Sequence, residues 1–397
     1  MKMITNLHIF ALAAHGTGLS GGDRIFIELA RRWSKKMPID IHLWGEGYQM
    51  CQKQGLKEST GLRFKISNLG FFCKLGFFIC YFARIIEGVR LGLTLTLENK
   101  NTIYIYNASE FWMDSLPCFI LKLRYPEVKW IATWFQTAPN PVRGFAETDR
   151  VKRYGFSALL YWLMQLPIKP LISRFADKVI VNNDGEKERF PRLTNSGNTI
   201  VLVGAVSLKE IEKWQLNNGK LPKIYDAVFQ GRFHPQKGVV ELIDIWRNVV
   251  NEISGAKLAM IGDGPLMKDV KNKIQELGLR RNVELFGYIF DGPKKYKIFS
   301  QSKIVVHPAF YDSGGMATAE VMAFGVPAVG FDLRAYLSYY PEGMIKSKDE
   351  REFAWNVINL LKNEPKREQL GSVAKKIIFD RYSWEERANE IYTKMTN

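Results

Sequence analysis

Arg232 and Lys237 lie five residues apart in the segment 230–238 (QGRFHPQKG), across Pro235 and directly after an apolar run that reads as a strand. Ligands of open α/β sheets bind beyond the carboxyl ends of the strands, so both cations can converge on one site. Together they suit a departing diphosphate, Arg232 as a planar fork and Lys237 as a point charge. A second segment, 311–332 (YDSGGMATAEVMAFGVPAVGFD), sets Asp312 eight residues before Glu320, with Ser313, Gly314, Gly315, Met316 and Thr318 between them. A glycine loop opening a helix leaves backbone N–H groups pointing outward, and those around Gly314, Gly315 and Met316 are expected to face a phosphate. A carboxylate two turns further in accepts hydrogen bonds and repels anions, so Glu320 suits sugar hydroxyls. Phosphate and sugar together point to a nucleotide-sugar.

The elements that must position these residues alternate along the chain. Strand-like runs at 6–13, 39–44, 102–106, 128–135, 178–181 and 199–203 are separated by helical patterns at 23–35, 71–92, 112–124 and 154–174. Such alternation implies a parallel sheet covered on both faces. The polar stretch 209–223, with Asn217-Asn218-Gly219-Lys220 and Pro222, reads as a linker. Strands then recur at 225–230, 257–261, 283–286, 303–306 and 327–331. The expected organisation is an α/β domain over 1–208, a second over 224–380, and a Ser-capped amphipathic helix within 381–397.

Composition agrees with two globular domains. The chain has 397 residues, 46% hydrophobic and 24% charged, too long for one typical core and too apolar for disorder. Its net charge is +16, and residues 1–205 hold 27 basic against 16 acidic residues, a balance of +11. A basic surface attracts anionic lipid, nucleic acid or phosphorylated small molecules. Neither an aromatic-interleaved RNA motif nor a helix-turn-helix pattern is present, so nucleic acid is not the expected partner. Cys51, Cys73, Cys80 and Cys118 form no metal-type pair and read as reduced thiols of a cytosolic protein. No metal site is expected. The apolar run 9–14 is too short for a signal peptide, and 75–83 falls short of the ~20 residues that a bilayer requires.

The segment 311–332 resembles the donor-site signature of glycosyltransferase family 4, in which an acidic residue, seven residues and a Glu run into a Gly-x-Pro step. Here Asp312 stands where Glu is usual, Glu320 matches, and Gly325-Val326-Pro327 supplies the step. Gly231-Arg232 and Lys237-Gly238 resemble the family's pyrophosphate-contacting Gly-Arg…Lys-Gly pair. The resemblance implies the α/β GT-B fold, two doubly wound Rossmann-like domains facing a central cleft. It implies retaining transfer of a sugar from a nucleotide-diphosphate-sugar to a glycan or lipid-linked glycan, in cell-surface polysaccharide or lipopolysaccharide synthesis. The donor is a co-substrate and no cofactor is implied. Asp312 would receive the transferred sugar and Glu320 the ribose. The turn Gly262-Asp263-Gly264-Pro265, expected to be mostly structural, would bring backbone near the nucleotide, and Tyr288 marks where the base is usually received. Gly21 and Gly22 match a glycine loop near donor phosphate or acceptor, and the terminal helix would cross back onto the first domain. The implied location is the cytoplasm, with attachment to the inner face of the membrane as an added expectation.

The acceptor side departs from the pattern. Many members carry a His after the strand 130–135, and this chain continues with Gln136, which can hold a hydroxyl but is no base at neutral pH. The departing phosphate can itself take the acceptor proton in a front-face mechanism. His15 and His307 are the remaining imidazoles to place, and His307 reads as structural. A non-catalytic nucleotide-sugar-binding subunit competes with the enzyme reading, as does a Rossmann-type oxidoreductase. Gly16, Gly18, Gly21 and Gly22 do not space as G-x-G-x-x-G, however, and strand two lacks a terminal acid. The aromatic–basic run 71–90 reads first as a core-facing helix and second as a lipid-docking surface, and 154–174 divides the same way.

Overall fold

The structure, a computed structural model, describes residues 4–14, 19–98, 100–142 and 155–396. His15 therefore lies outside the described residues, as do Gly16 and Gly18. The chain divides into two compact units: 1–138, 160–202 and 385–397 form the first, and 139–159 with 203–384 the second.

The first unit holds β1 (Asn6–Phe10), β2 (Ile39–Trp44), β3 (Leu62–Ser67), β4 (Ile103–Asn107), β5 (Lys129–Trp134), β6 (Lys178–Val181) and β7 (Thr199–Val201) in one sheet, ordered 3-2-1-4-5-6-7. Every pairing is parallel. All residues of β2 and β4 are buried, as the strands of a sheet covered on both faces must be. The second unit holds β8 (Tyr225–Gln230), β9 (Leu258–Ile261), β10 (Val283–Gly287), β11 (Ser302–His307), β12 (Ala328–Phe331) and β13 (Met344–Ser347), ordered 10-9-8-11-12-13 and again wholly parallel. Strand order reverses between β1 and β4 and between β8 and β11. These are the switch points where the loops leaving adjacent strands part and open a crevice.

Two strands escaped the sequence reading, β3 and β13. Both are edge strands, and β3 alternates buried and exposed positions instead of running apolar throughout. The expected linker 209–223 is a correction as well. Residues Leu208–Asn218 form a helix whose Leu208, Ile211 and Trp214 enter the core of the second unit. Three apolar positions at helical spacing outweigh the polar composition of that stretch.

The terminal helix Trp384–Thr396 packs in the first unit from residue 385 onward. Trp33 Nε1 donates to Ala388 O at 2.9 Å, Arg32 pairs with Glu385 at 2.9 Å, and Lys36 Nζ donates to Asn389 Oδ1 at 2.7 Å.

The aromatic run 71–90 departs most from its first reading. Helices Gly70–Lys74 and Phe77–Thr94 and the turn between them expose Phe71, Phe72, Leu75, Phe78, Ile79, Phe82 and Ile86, with Phe71 at 70% and Ile86 at 68%. Arg84 and Glu87 point inward instead. The Arg84 guanidinium lies 5.2 Å from the Trp44 ring and donates to Ala13 O at 3.2 Å. Glycines explain the inversion. A Cβ on Gly88 would stand 2.6 Å from Met113 O, and one on Gly92 2.9 Å from Ile120 Cβ, so a glycine seam seats this helix on the helix Trp112–Arg124. Bulky side chains are left on the other face. Cys73 and Cys80 are joined by a disulfide, which corrects the expectation of four free thiols; Cys51 and Cys118 are free and buried. Gly76, at φ 115°, turns the chain between the two helices and brings those Cα atoms to 4.2 Å.

Candidate functional site

The site is built on the ends of β8 and β11, neighbours at the switch point of the second unit. After β8 the chain turns through Gly231, whose N–H donates to Ile261 O at 3.1 Å, while Phe233 N donates to Asp263 O at 2.9 Å. A Cβ on Gly262 would stand 1.9 Å from Gly231 O, and one on Gly264 2.5 Å from Phe233 O, so both glycines are required for the loops after β8 and β9 to touch. The 3-10 turn Pro235–Lys237 then ends in Gly238, left-handed at φ 61°, where a Cβ would meet Pro308 O at 2.1 Å. Phe310 N donates to Gln236 O at 2.9 Å. The Arg232–Lys237 loop is thereby fastened to the loop leaving β11. His234 sits between the two cations. Burial, then the charges of Arg232 and Lys237, lower its pKa to about 4. Arg232 is exposed, and its guanidinium makes no ion pair among the described residues.

Asp312 is the organising residue of the β11 loop. Its Oδ2 receives Lys237 Nζ at 2.5 Å, His307 Nε2 at 2.8 Å and Tyr336 OH at 3.2 Å. Its Oδ1 receives the N–H groups of Gly314 and Gly315, each at 3.2 Å. Burial alone would raise the carboxyl, but the Lys237 charge and the His307 contact outweigh it and hold Asp312 well below the carboxylate range. A carboxylate has about four lone-pair sites, and five donors occupy them. Five donors thus converge on Asp312, for which a transferred sugar was the expected partner, and Gly314 and Gly315 direct their N–H groups at Asp312, where a phosphate was expected. The Met316 N–H has no partner among the described residues. A tyrosine cluster backs the loop. Tyr340 OH donates to Gly315 O at 2.8 Å, and a Cβ on Gly314 would fall 2.3 Å from the Tyr339 ring. His307 is structural in the sense that burial keeps its pKa low while it donates to Asp312.

Glu320 lies one turn inside the short helix Met316–Met322 and is buried. Its Oε2 receives Gln230 Nε2 at 2.9 Å and Lys295 Nζ at 2.8 Å. Gln230 Oε1 and Thr318 Oγ1 are buried and have no hydrogen-bond partner among the described residues. Ser313 and Met316 are half-buried on the same loop. Tyr288, 40% exposed, stands after β10 with its ring edge-on to Phe290 at 5.0 Å. The second unit thus gathers Gly231, Arg232, Lys237, Gly264 and Asp312 on adjoining loops, with Glu320 on the helix that follows. Lys295, Tyr336 and Tyr340 escaped the sequence reading, since an isolated Lys or Tyr in or just after a helix carries no motif.

Gly21, Gly22 and Gln136 belong to the first unit. Gly21 and Gly22 form the first turn of the helix Gly21–Trp33, capped by Ser20 and Asp23. A Cβ on Gly22 would lie 3.4 Å from the Phe135 ring, which places that turn beside the end of β5 and near Gln136. Gln136 O accepts from Gln165 Nε2 at 2.7 Å. Beneath it lies Glu110, which the sequence did not single out. Burial pushes its carboxyl up to about 7, although Phe135 N at 3.3 Å, Tyr161 OH at 3.2 Å and Gln165 Nε2 at 3.2 Å all donate to it.

Similarity to known proteins bears on the second unit first. The profile of the family described as glycosyl transferases group 1 matches residues 210–377. Those residues are similar to a group 1 glycosyltransferase domain. An uncharacterized glycosyltransferase, MJ1607 of Methanocaldococcus jannaschii, is 29% identical over 167 residues, 41% of this chain and 42% of that protein. The poly(ribitol-phosphate) alpha-N-acetylglucosaminyltransferase of Staphylococcus aureus is 28% identical over 159 residues, 39% of this chain and 32% of that one. The chain spans less than half the length of these two relatives. The crystal structure of S. aureus TarM with fondaparinux, alpha-GlcNAc-glycerol and UDP superposes with a TM-score of 0.71 at 14% identity, covering 99% of this chain and 100% of TarM. The fold is GT-B, built from two parallel-sheet Rossmann-like domains.

Replacing Asp312 tests the five-donor arrangement. Asp312→Asn strands the Lys237 ammonium and is expected to cost about 3 kcal/mol, as breaking a largely buried pair does. Asp312→Glu is expected to recover less than half, because its carboxylate sits one methylene beyond the two glycine N–H groups. Thermal unfolding midpoints measure both, and a variant within 1–2 °C of the parent, under roughly 1 kcal/mol, contradicts the arrangement.

Glu110 yields a pH prediction. The folded chain keeps its proton up to about pH 7, while the unfolded chain releases it near the ordinary value of 4.5. The contribution is complete below the unfolded value and is lost as pH rises to the folded one, so stability should fall between about pH 4.5 and about pH 7 and level off above it. Glu110→Gln should flatten that part of the midpoint-versus-pH curve, and an unchanged slope contradicts the assignment.

Proposed function

We propose that the protein is a retaining glycosyltransferase of family 4 type that moves a sugar from a nucleotide-diphosphate-sugar to a hydroxyl of a glycan acceptor, in cell-surface polysaccharide or lipopolysaccharide synthesis. The observation that carries this reading is the pair of cations at the end of β8. Arg232 presents an uncommitted fork. Lys237 spends one N–H on Asp312 and keeps two for a ligand. The UDP bound to TarM and the names of the relatives support the same class of chemistry.

In this reading Arg232, Lys237 and the Met316 N–H take up charge as the anomeric C–O bond breaks toward the diphosphate. The acceptor oxygen forms its bond on the same face of the sugar, and a departing phosphate oxygen takes the acceptor proton. Retention follows, and Gln136 needs only to hold a hydroxyl. Charge neutralisation falls to side chains, so turnover is expected to persist in a chelator. Glu320 and the orphaned acceptor of Gln230 suit ribose hydroxyls, and Tyr288 offers a ring to the base. A thermal-shift screen over nucleotide-sugars identifies the donor, and release of nucleoside diphosphate then measures turnover. Arg232→Ala and Lys237→Ala should each slow it on the order of 100-fold, about 3 kcal/mol on the barrier, with the fold intact. Near-normal rates in both variants would remove the reading.

The first unit is proposed to dock on anionic membrane, where a lipid-linked acceptor would lie. No helix among the described residues is long and apolar enough to cross a membrane. The helices Gly70–Lys74 and Phe77–Thr94 instead present a contiguous sequence of exposed aromatic and aliphatic side chains, with Lys74 exposed among them. The charge balance of +11 over residues 1–205 complements an anionic surface. Co-sedimentation with anionic vesicles should weaken at high salt but persist in part, and Phe78→Glu with Phe82→Glu should abolish it. Protein that stays in the supernatant with every vesicle contradicts docking.

A further inference from the structure

Lys295 is a buried lysine with no place in the mechanism above. It lies in the first turn of the helix Pro293–Ser300 and is 2% exposed. A Lys at that depth is rare unless paired, because its ammonium has left water. Here Nζ donates to Asp291 Oδ1 at 2.6 Å and to Glu320 Oε2 at 2.8 Å, and it stands 5.6 Å from the Phe299 ring. Gln230 Nε2 reaches the same Glu320 oxygen at 2.9 Å. Two donors on one oxygen, from two different elements, fix the plane of that carboxylate. Asp291 belongs to the loop that carries Tyr288 and Phe290, flanked by Gly287 at φ 66° and Gly292 at φ 135°. Lys295 therefore joins the Tyr288 loop to Glu320 through one ammonium.

We infer that Lys295 is a positioning residue that aims Glu320 at the ribose of the donor and ties that aim to the loop facing the base. This rests on the donor-site reading above. Lys295 touches no substrate itself. It sets the orientation in which Glu320 accepts from a ribose hydroxyl, so the property it controls is discrimination between ribo- and 2′-deoxyribonucleotides. Diphosphate binding, which falls to Arg232 and Lys237, does not depend on it.

The test is calorimetry on the full chain. UDP, GDP, ADP and CDP are titrated first, and the tightest is then compared with its 2′-deoxy counterpart and with inorganic pyrophosphate. The parent should prefer the ribonucleotide at least tenfold, the size of one charge-assisted hydrogen bond. Lys295→Met, similar in length and unable to donate, should bring that ratio to within twofold of unity and leave pyrophosphate affinity unchanged. Lys295→Arg, which restores a donor, should recover part of the ratio. Where Lys295→Met does not fold, Asp291→Asn, altering a side chain 27% exposed, serves in its place and should lower the ratio by at least threefold. A ratio unchanged in the variants, with parent-like pyrophosphate binding, overturns the role of Lys295 and leaves the donor site standing. Loss of ribonucleotide and pyrophosphate affinity together overturns it too, since that marks a merely structural lysine. A parent that binds none of the four nucleotides overturns the donor-site reading and this inference with it.

Discussion

The second unit depends on one carboxylate. Asp312 draws donors from three separate stretches of chain: Lys237 from the loop after β8, His307 from the end of β11, and Tyr336 from the helix Arg334–Tyr339. It also folds its own loop, because the Gly314 and Gly315 N–H groups close back on its other oxygen. Buried and charged, it is tolerable only because every lone pair is met. The arrangement requires Asp at this position and not the longer Glu. A side chain that must accept from N–H groups two and three residues later has to be short, as in Asx turns.

A division of labour among charges follows. Two buried carboxylates each hold a lysine, Asp312 holding Lys237 and Glu320 holding Lys295. Lys295 divides its bonds between two acids and stays in the interior. Lys237 uses one and remains partly accessible. Arg232 pairs with no acid among the described residues. The cations are thus graded from fully neutralised to fully available along the edge where β8 and β11 part. Such a gradient favours an anion at the Arg232 end and neutral hydrogen-bonding groups at the Glu320 end, the polarity that the proposed donor would require.

The sequence made the frame of this site legible because the frame rests on backbone demands. Gly238, Gly262 and Gly264 are needed where a Cβ would strike a neighbouring carbonyl, and such positions announce themselves as Gly beside Pro or Lys at strand ends. The buried strands β8, β9, β11 and β12 were visible as apolar runs. The edge strands β3 and β13 were not, since an edge is not obliged to be apolar. Which N–H group meets which oxygen also stayed hidden. Spacing suggested that Gly314 and Gly315 faced phosphate, yet they face a residue two or three positions away, and only the fold of the loop decides between an external and an internal anion. Lys295 illustrates the same limit, since its burial is set by the packing of its helix and not by its neighbours in sequence.

The helix Phe77–Thr94 shows how composition can mislead about direction. Its apolar residues outnumber its polar ones, so the expected face for Phe78, Phe82 and Ile86 is the core. Two glycines reverse this. Close approach to the helix Trp112–Arg124 is possible only along Gly88 and Gly92, where any larger side chain would collide. Once that seam is fixed, helical geometry sends residues half a turn away outward. The inward face then has to accommodate Arg84 and Glu87. Arg84 directs one terminal nitrogen at backbone carbonyls and stacks its guanidinium near the Trp44 ring, while its buried Nε has no hydrogen-bond partner among the described residues; Glu87 meets Ser67 at 2.5 Å and Arg90 at 2.7 Å. Burying an arginine and a glutamate while leaving phenylalanines in water opposes the hydrophobic effect on both faces. A fold that does so gains from the outward aromatics only when something apolar covers them, and an exposed run of this extent is larger than the scattered apolar residues an ordinary surface carries.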